Sequence, residues 1–259
     1  MEKLKVFAVD LAREAGALLK EKLHGKNEIY YKGEINLVTE ADKMSEDLII
    51  AKIRRYFPEH GIMSEESAAT GNGAKKRWII DPLDGTTNYA HGYPVFCVSL
   101  ALEENGVIVL GVVYDPMRDD TFAAERGGGA WLNNRRLAVS TNVDLNRSLL
   151  ATGFPYDIRE SKENNIANFC AMAKEAQAIR RAGAAALDIT YVACGRFDGF
   201  WELKLMPWDT AAACLMLEEA GGKITDIGGG EWNLYSPHII ASNGHIHEQM
   251  LRVLKQSKT

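Results

Sequence analysis

Residues 78 to 88 read Trp78-Ile79-Ile80-Asp81-Pro82-Leu83-Asp84-Gly85-Thr86-Thr87-Asn88, with two carboxylates three positions apart astride a proline. An apolar β-type run leads into Asp81, and a Gly-Thr pair able to turn the backbone and open a helix follows Asp84. A strand ending in Asp81 would hold its carboxylate rigidly, Pro82 would fix the turn, and Asp84 would face the same point. Hard divalent cations take oxygen ligands and keep room for water and phosphate. Carboxylates beside a loop of free backbone N–H groups therefore suit metal-assisted chemistry at phosphorus. Asp-Pro and Asp-Gly are also ordinary turn formers, and the segment alone leaves that plainer reading open.

Two further segments carry compatible residues. Ile62-Met63-Ser64-Glu65-Glu66-Ser67 sets a pair of acids after an apolar dipeptide, and Pro207-Trp208-Asp209-Thr210 leads into a small-residue helix closed by Gly221-Gly222. On these residues the chain resembles the inositol monophosphatase family of Mg2+-dependent, lithium-sensitive phosphatases. The stretch from Trp78 to Tyr89 is similar to the family's first signature. Trp208-Asp209-Thr210-Ala211-Ala212-Ala213 through Glu219-Ala220-Gly221-Gly222 is similar to its second. The resemblance runs from about the first helix to near the C-terminus. It implies an α+β fold, a five-layer αβαβα sandwich. An α+β half over residues 1–145 would carry most metal ligands, and an α/β half over residues 146–259 would complete the site.

The resemblance also implies roles residue by residue. Asp81 would bridge two metals, with Glu65 and the Leu83 carbonyl completing one and Asp84 and Asp209 the other. Two or three Mg2+ ions are expected per site, with Mn2+ as a substitute. Glu65 and Thr86 match the positions that place and activate the nucleophilic water, and Asp42 matches the acid that orients the threonine hydroxyl. Backbone N–H groups at Gly85 and Thr86 would receive the phosphate. Glu202, with Gly183, Ala184, Ala185 and Asp84, matches the contacts to the sugar ring. Arg180 and Arg181 would contact a phosphate bidentately, or serve as surface charges or subunit contacts. Read without the resemblance, Asp42 is a solvated residue of a charged helix, Glu65 competes with Glu66, and Asp209 is the N-cap of a helix beginning at Thr210.

The expected activity is hydrolysis of an inositol monophosphate, with fructose 1,6-bisphosphate as an alternative second substrate. Related nucleotide and histidinol-phosphate phosphatases usually carry lysine after Asp-Gly-Thr, whereas this chain has Thr87-Asn88-Tyr89. A homodimer or higher homo-oligomer and inhibition by lithium are implied as well. The run from Arg180 to Asp188 is similar to bacterial members that help antitermination of ribosomal RNA synthesis. Transcription factors are therefore alternative partners.

Composition constrains the rest. A net charge of −5 gives no general attraction to nucleic acid or anionic membrane. Cys97, Cys170, Cys194 and Cys214 form no Cys-x-x-Cys pair, so reduced thiols of a cytoplasmic protein are expected, not structural zinc. The N-terminus is unlike a signal peptide, and no window approaches a membrane span. The six histidines form no His-x-x-x-His pair, and no serine stands in a nucleophile-elbow sequence.

Apolar spacing predicts helices from Leu4 to about Leu23, stopping near His24-Gly25, and from Thr39 to Phe57. Strands follow at Trp78 to Ile80, Val95 to Glu103, Val107 to Tyr114, Thr121 to Glu125 and Ala130 to Leu132, with Asn105-Gly106 as a hairpin turn. Gly127-Gly128-Gly129 precedes strand and turn residues, which argues against a dinucleotide loop. Beyond Ser140 strands are expected at 149–153, 178–180, 199–203 and 223–226, and helices at 164–176, 184–194 and 210–220. A final pair of elements is expected at 239–242 and 247–254. Such alternation suggests helices laid against a sheet.

Overall fold

The computed structural model describes residues 1–23, 29–31, 37–71 and 73–257. Its first half contains α1 (Glu2–Lys22), β1 (Ile29–Tyr31), β2 (Leu37–Thr39), α2 (Glu40–Tyr56), β3 (Gly61–Ser64), β4 (Lys76–Asp84) and α3 (Thr86–Ala90). β5 (Cys97–Glu104), β6 (Val107–Asp115), β7 (Asp120–Glu125), β8 (Gly129–Leu132) and β9 (Arg135–Arg136) follow. Then come β10 (Leu149–Thr152), α4 (Ile166–Met172), β11 (Ala178–Arg180), α5 (Ala185–Ala193), β12 (Gly199–Leu203), α6 (Pro207–Glu219), β13 (Lys223–Thr225), β14 (His238–Ser242) and α7 (His247–Gln256).

Seven strands form a mixed sheet in the order β3-β4-β5-β6-β7-β8-β9, and five form a second in the order β11-β10-β12-β14-β13. Alternation along β4 sends Trp78 and Ile80 to one face of the first sheet and Ile79 to the other, the period-two parity of a strand buried on both sides. The first face packs under α1 and α2 through Leu11, Leu19, Ile49 and Ile53. Between the sheets, α5 and α6 place Leu187, Ile189, Val192, Leu215 and Met216 against Val113 and Phe122 on one side and Phe200 and Ala241 on the other. Outside the second sheet, Met172 of α4 and Met250, Leu251 and Leu254 of α7 cover Leu150, Trp201 and Ile240. The layers run α, β, α, β, α, the five-layer sandwich expected. Each fully buried Leu or Ile contributes about 1.5–3 kcal/mol to holding them together.

Local chemistry sets several boundaries. Asn105 and Gly106 both take positive φ, 52° and 84°, the conformation a two-residue hairpin turn needs, and β5 pairs with β6 across them. α6 begins at Pro207, three residues before the expected start, because proline at the first helical position has φ preset and no N–H to satisfy. α4 starts at Ile166, two residues later than expected, because Asn165 lies at φ 68° and cannot continue a right-handed helix backwards, and it ends at Met172, four residues early. The expected stop of the first helix at His24-Gly25 lies outside the described residues. β3 and β9 are short strands that the apolar pattern did not mark.

One close approach matters for the site. A Cβ on Gly111 of β6 would lie 2.7 Å from the Ala212 carbonyl oxygen of α6. The helix that carries Asp209 therefore rests backbone to backbone on the first sheet, and a side chain at Gly111 would lift it. Among the described residues no helix is long and apolar enough to cross a membrane. All four cysteines are free thiols, with Cys97 and Cys214 buried.

Candidate active site

On a regular strand, residues three apart point to opposite faces, which would separate Asp81 from Asp84. β4 avoids this. Asp81 pairs with Ser99 and Asp84 with Cys97, so three steps on β4 match two on β5. The extra residue is a β-bulge at Pro82-Leu83, where proline has no N–H to give the ladder. The strand thus continues through Asp84 and does not end at Asp81, a correction to the boundary expected from the apolar run. The Leu83 N–H turns back to Asp81 Oδ1 at 3.0 Å. Gly85 then takes φ 96°, where a Cβ would stand 2.9 Å from the Val95 carbonyl oxygen, so the turn into α3 requires glycine.

A pocket of about 470 Å3 is lined by Glu65, Asp81, Leu83, Asp84, Gly85, Thr86, Glu202 and Asp209. It shares Asp84, Gly85, Thr86, Glu202 and Asp209 with an inner pocket that extends to Arg181, Gly183, Ala184 and Ala185. Cavity size does not single this region out. A groove of about 660 Å3 against α1 and one of about 370 Å3 between α4 and α7 gather no comparable set of acids.

Backbone amides anchor the acids through one oxygen each. Asp84 Oδ2 accepts from the Ala186 N–H at 2.8 Å, across to the second half of the chain, and Asp209 Oδ2 accepts from the Met206 N–H at 2.7 Å. Asp209 lies in the first turn of α6 and is not its N-cap. Asp81 is 1% exposed, and burial raises its pKa well above the carboxylate range, with Glu65, Asp84 and Asp209 adding like charge. Burial pushes Asp84 up to about 7. Asp209 is pushed up to about 7 by burial, with the Asp84 charge adding to it. Glu202 is pushed up to about 8, by burial first and then by Asp209. Asp209 and Glu202 are only half-buried, so water in the pocket moderates their shifts more than those of Asp81 and Asp84.

Oxygen donors under mutual repulsion are what a hard divalent cation neutralises, so the set fits Mg2+ in donor type and in charge. Among the described residues, no three acidic, histidine or cysteine side chains already stand close enough to one point to hold an ion.

Thr86 Oγ1 lies 2.9 Å from Asp42 Oδ1 and 3.0 Å from the Leu83 carbonyl oxygen, and its single proton serves one of them at a time. Asp42 is 1% exposed, which corrects its reading as a solvated acid of a charged helix. Its Oδ2 accepts from the Thr39 N–H at 2.8 Å and from the Thr39 hydroxyl, closing a capping box that starts α2. Burial raises the Asp42 pKa, and the bonds from Thr39 and Thr86 oppose the rise. The same face of α2 supports two more pieces of the site. Ser45 Oγ donates to the Pro82 carbonyl at 2.8 Å, while Glu46 accepts from the Glu66 N–H at 3.3 Å and from the Ser67 hydroxyl. Asp42, Ser45 and Glu46 stand at i, i+3 and i+4, the one signal by which this supporting row was readable.

The second half contributes the far wall. Asn88 Nδ2 donates to Val95 O at 2.7 Å and Ala182 O at 2.8 Å, tying α3 to the segment before α5. A Cβ on Gly153 would lie 2.0 Å from Glu202 Oε1, so the Glu202 carboxylate occupies the room that glycine leaves.

The molecule resembles known proteins over its whole length. The model of the inositol monophosphatase family matches residues 1–259. The chain belongs to the inositol monophosphatase family. A solved inositol monophosphatase from Anabaena (Nostoc) sp. PCC 7120 superposes with a TM-score of 0.90 at 46% identity, covering 98% of this chain and 96% of that one. An inositol-1-monophosphatase of Synechocystis is 42% identical over 96% of this chain and 87% of its own length. The Nus factor SuhB of Escherichia coli K12 is 43% identical over 95% of this chain and 93% of its own length.

Among the residues that the family resemblance singled out, Glu65, Asp81, Leu83, Asp84, Gly85, Thr86, Glu202 and Asp209 come together at one pocket, and Gly183, Ala184 and Ala185 at its inner continuation. Arg180 does not reach it. That side chain is exposed, with Nη1 3.3 Å from the Ile179 carbonyl, and Arg181 lines the inner pocket in its place. Asp188, to which sequence reasoning gave no role, also lines the inner pocket. Burial raises its pKa well above the carboxylate range, Glu202 and Asp84 add to the rise, and Arg181 opposes it.

Proposed function

We propose that this protein is a phosphatase that hydrolyses an inositol monophosphate to myo-inositol and phosphate in a divalent-metal-dependent reaction. One observation carries the reading: Glu65, Asp81, Asp84 and Asp209 share a pocket whose inner end is Glu202 and the Gly183–Ala185 segment. In this reading Glu65, Asp81, the Leu83 carbonyl, Asp84 and Asp209 hold two or three Mg2+ ions, with Mn2+ as a substitute. When bound, such ions neutralise charge on the phosphoryl group and lower the pKa of water.

The chain's own groups supply orientation. With the Leu83 carbonyl engaged elsewhere, Thr86 donates its proton to Asp42, and the free lone pairs of Oγ1 accept from the attacking water. Thr39 holds the other oxygen of Asp42, so the acceptor facing Thr86 is fixed before substrate arrives. Glu65 shares the placing of the water with Thr86. The N–H groups of Gly85 and Thr86 receive the phosphate. Glu202 accepts a hydrogen bond from a ring hydroxyl, and Gly183, Ala184 and Ala185 line the ring. Relatives named inositol-1-monophosphatase support this substrate. Phosphate release measured over inositol 1-phosphate, fructose 1,6-bisphosphate, 3'-phosphoadenosine 5'-phosphate and histidinol phosphate tests it. Inositol 1-phosphate is expected to lead, a comparable rate on the fructose ester would make the enzyme dual, and preference for the nucleotide would contradict the reading.

A second reading, a binding role in antitermination of ribosomal RNA synthesis, is supported by relatives of similar identity named Nus factor SuhB. It would use a protein surface and survive loss of the acids. Capture of RNA polymerase by an Asp81→Asn variant tests it, and absence of capture counts against it.

A further inference from the structure

Asp188 sits in the first turn of α5, among buried Leu187 and Ile189, and is 1% exposed. Its Oδ1 is buried without a hydrogen-bond partner. Acids that serve only the fold are bonded here. Asp198 accepts from the Ser140 hydroxyl at 2.6 Å and the Leu149 N–H at 2.8 Å, and Asp115 from the Met117 N–H at 3.0 Å and Arg118 at 2.9 Å. An unmet carboxyl oxygen in a core position costs stability, and an apolar residue of that size would avoid the cost. The start of α5 and Arg181 favour negative charge nearby, yet neither fills the valence of Oδ1.

Asp188 lines the same inner pocket as Glu202, Arg181 and Gly183–Ala185. We propose that Asp188 is a specificity-determining residue which, beside Glu202, receives a hydroxyl of the substrate's polyol ring, so that this end of the pocket reads hydroxyls and rejects a second phosphate. The inference rests on the phosphatase reading above. A hydroxyl both donates and accepts, and so can bond the carboxyl where it lines the pocket, whether it is ionised or protonated. A phosphate dianion at the same point would meet two acids. An apolar group would leave the carboxyl without a partner.

The test uses the full-length protein with its divalent ion and a series of monodeoxy inositol 1-phosphates, comparing kcat/KM for the wild type, Asp188→Ala and Asp188→Asn, alongside thermal unfolding without substrate. In the wild type, one deoxy analogue is expected to lose about ten- to a hundredfold against the parent ester, because it leaves the Asp188 carboxyl unpaired. In Asp188→Ala that same deletion should cost less than about threefold, the coupling that marks a direct contact. Without substrate, Asp188→Ala and Asp188→Asn should melt at or above the wild-type temperature. The proposal is overturned if every analogue loses the same factor in variant and wild type, or if the variants melt lower with the analogue pattern unchanged. Where Asp188→Ala does not fold, Asp188→Asn carries the comparison. Failure of the wild type to hydrolyse any inositol phosphate would overturn the phosphatase reading itself, and that outcome is visible before any variant is made.

Discussion

Thr86 and Asp42, forty-four positions apart in the chain, are joined by a 2.9 Å hydrogen bond between the start of α3 and the first turn of α2. Asp42 does two things at once, since its other oxygen closes the capping box with Thr39. Replacing Thr86 by alanine removes the oriented hydroxyl together with one methyl group, and kcat should fall by about a hundredfold or more with KM changing little. Thr86→Ser should recover most of the rate. Asp42→Asn should lower kcat and also cost about 1 kcal/mol of stability through the weakened cap. Steady-state kinetics and thermal unfolding of the three variants separate these effects. A Thr86→Ala enzyme with unimpaired kcat would remove the hydroxyl from the reaction.

Asp81 feels the charge of Glu65, Asp84 and Asp209, whereas Glu202 stands at the inner end of the pocket, where the proposed reading puts the ring. Asp81→Asn should therefore reduce kcat by a larger factor than Glu202→Gln, and Glu202→Gln should act mainly on KM. Equal effects on both parameters in the two variants would contradict the division of labour.

Glu46 reaches the loop after Glu65 through the Glu66 N–H and the Ser67 hydroxyl. Removing it should loosen that loop and raise the Mg2+ concentration for half-maximal activity by about tenfold, the scale of losses from groups that orient metal ligands. Glu46→Gln, which keeps one acceptor oxygen, should fall between wild type and Glu46→Ala. An unchanged Mg2+ dependence in Glu46→Ala would assign the residue to the fold alone.

Asp84 and Asp209 are raised from an ordinary value of 3.8 to about 7, and Glu202 from 4.5 to about 8. Groups whose folded pKa lies above the unfolded one stabilise fully below the unfolded value and lose that contribution as pH rises through the folded value. The metal-free protein should thus lose stability between about pH 4 and 8 on account of these acids. His247, lowered by burial to about 4, acts in the opposite direction below pH 6.5. Because His247 lies on α7, bonded to Ser242 and Thr225, the difference in Tm with and without Mg2+ isolates the acids. That difference should grow from pH 5 to pH 8. A difference independent of pH would show that the ion does not bind at these groups.

Much of this arrangement is legible in the chain. Apolar periodicity locates the long helices and the inner strands β4 to β8 of the first sheet, and Asn105-Gly106 declares its hairpin. The acids at 81 and 84 are readable as a pair, but their convergence is not, because it depends on a bulge that only pairing with Ser99 and Cys97 creates. Asp42 reads as a surface acid because local spacing cannot reveal that Thr86 returns to it. Ser45, Glu46 and Asp188 were passed over for the same reason: what gives each its interest is a partner, or the lack of one, distant in sequence. Arg180 and Arg181 are interchangeable as letters, and only the end of β11 decides which one lines the pocket.

The most direct measurement is phosphate release from inositol 1-phosphate by the wild-type protein, first in EDTA and then with Mg2+ restored, with Asp81→Asn run in parallel. Activity should vanish in EDTA, return with Mg2+, and stay near background in Asp81→Asn at every Mg2+ concentration. Undiminished hydrolysis in EDTA, or near-normal turnover by Asp81→Asn, would contradict the role given to the acids.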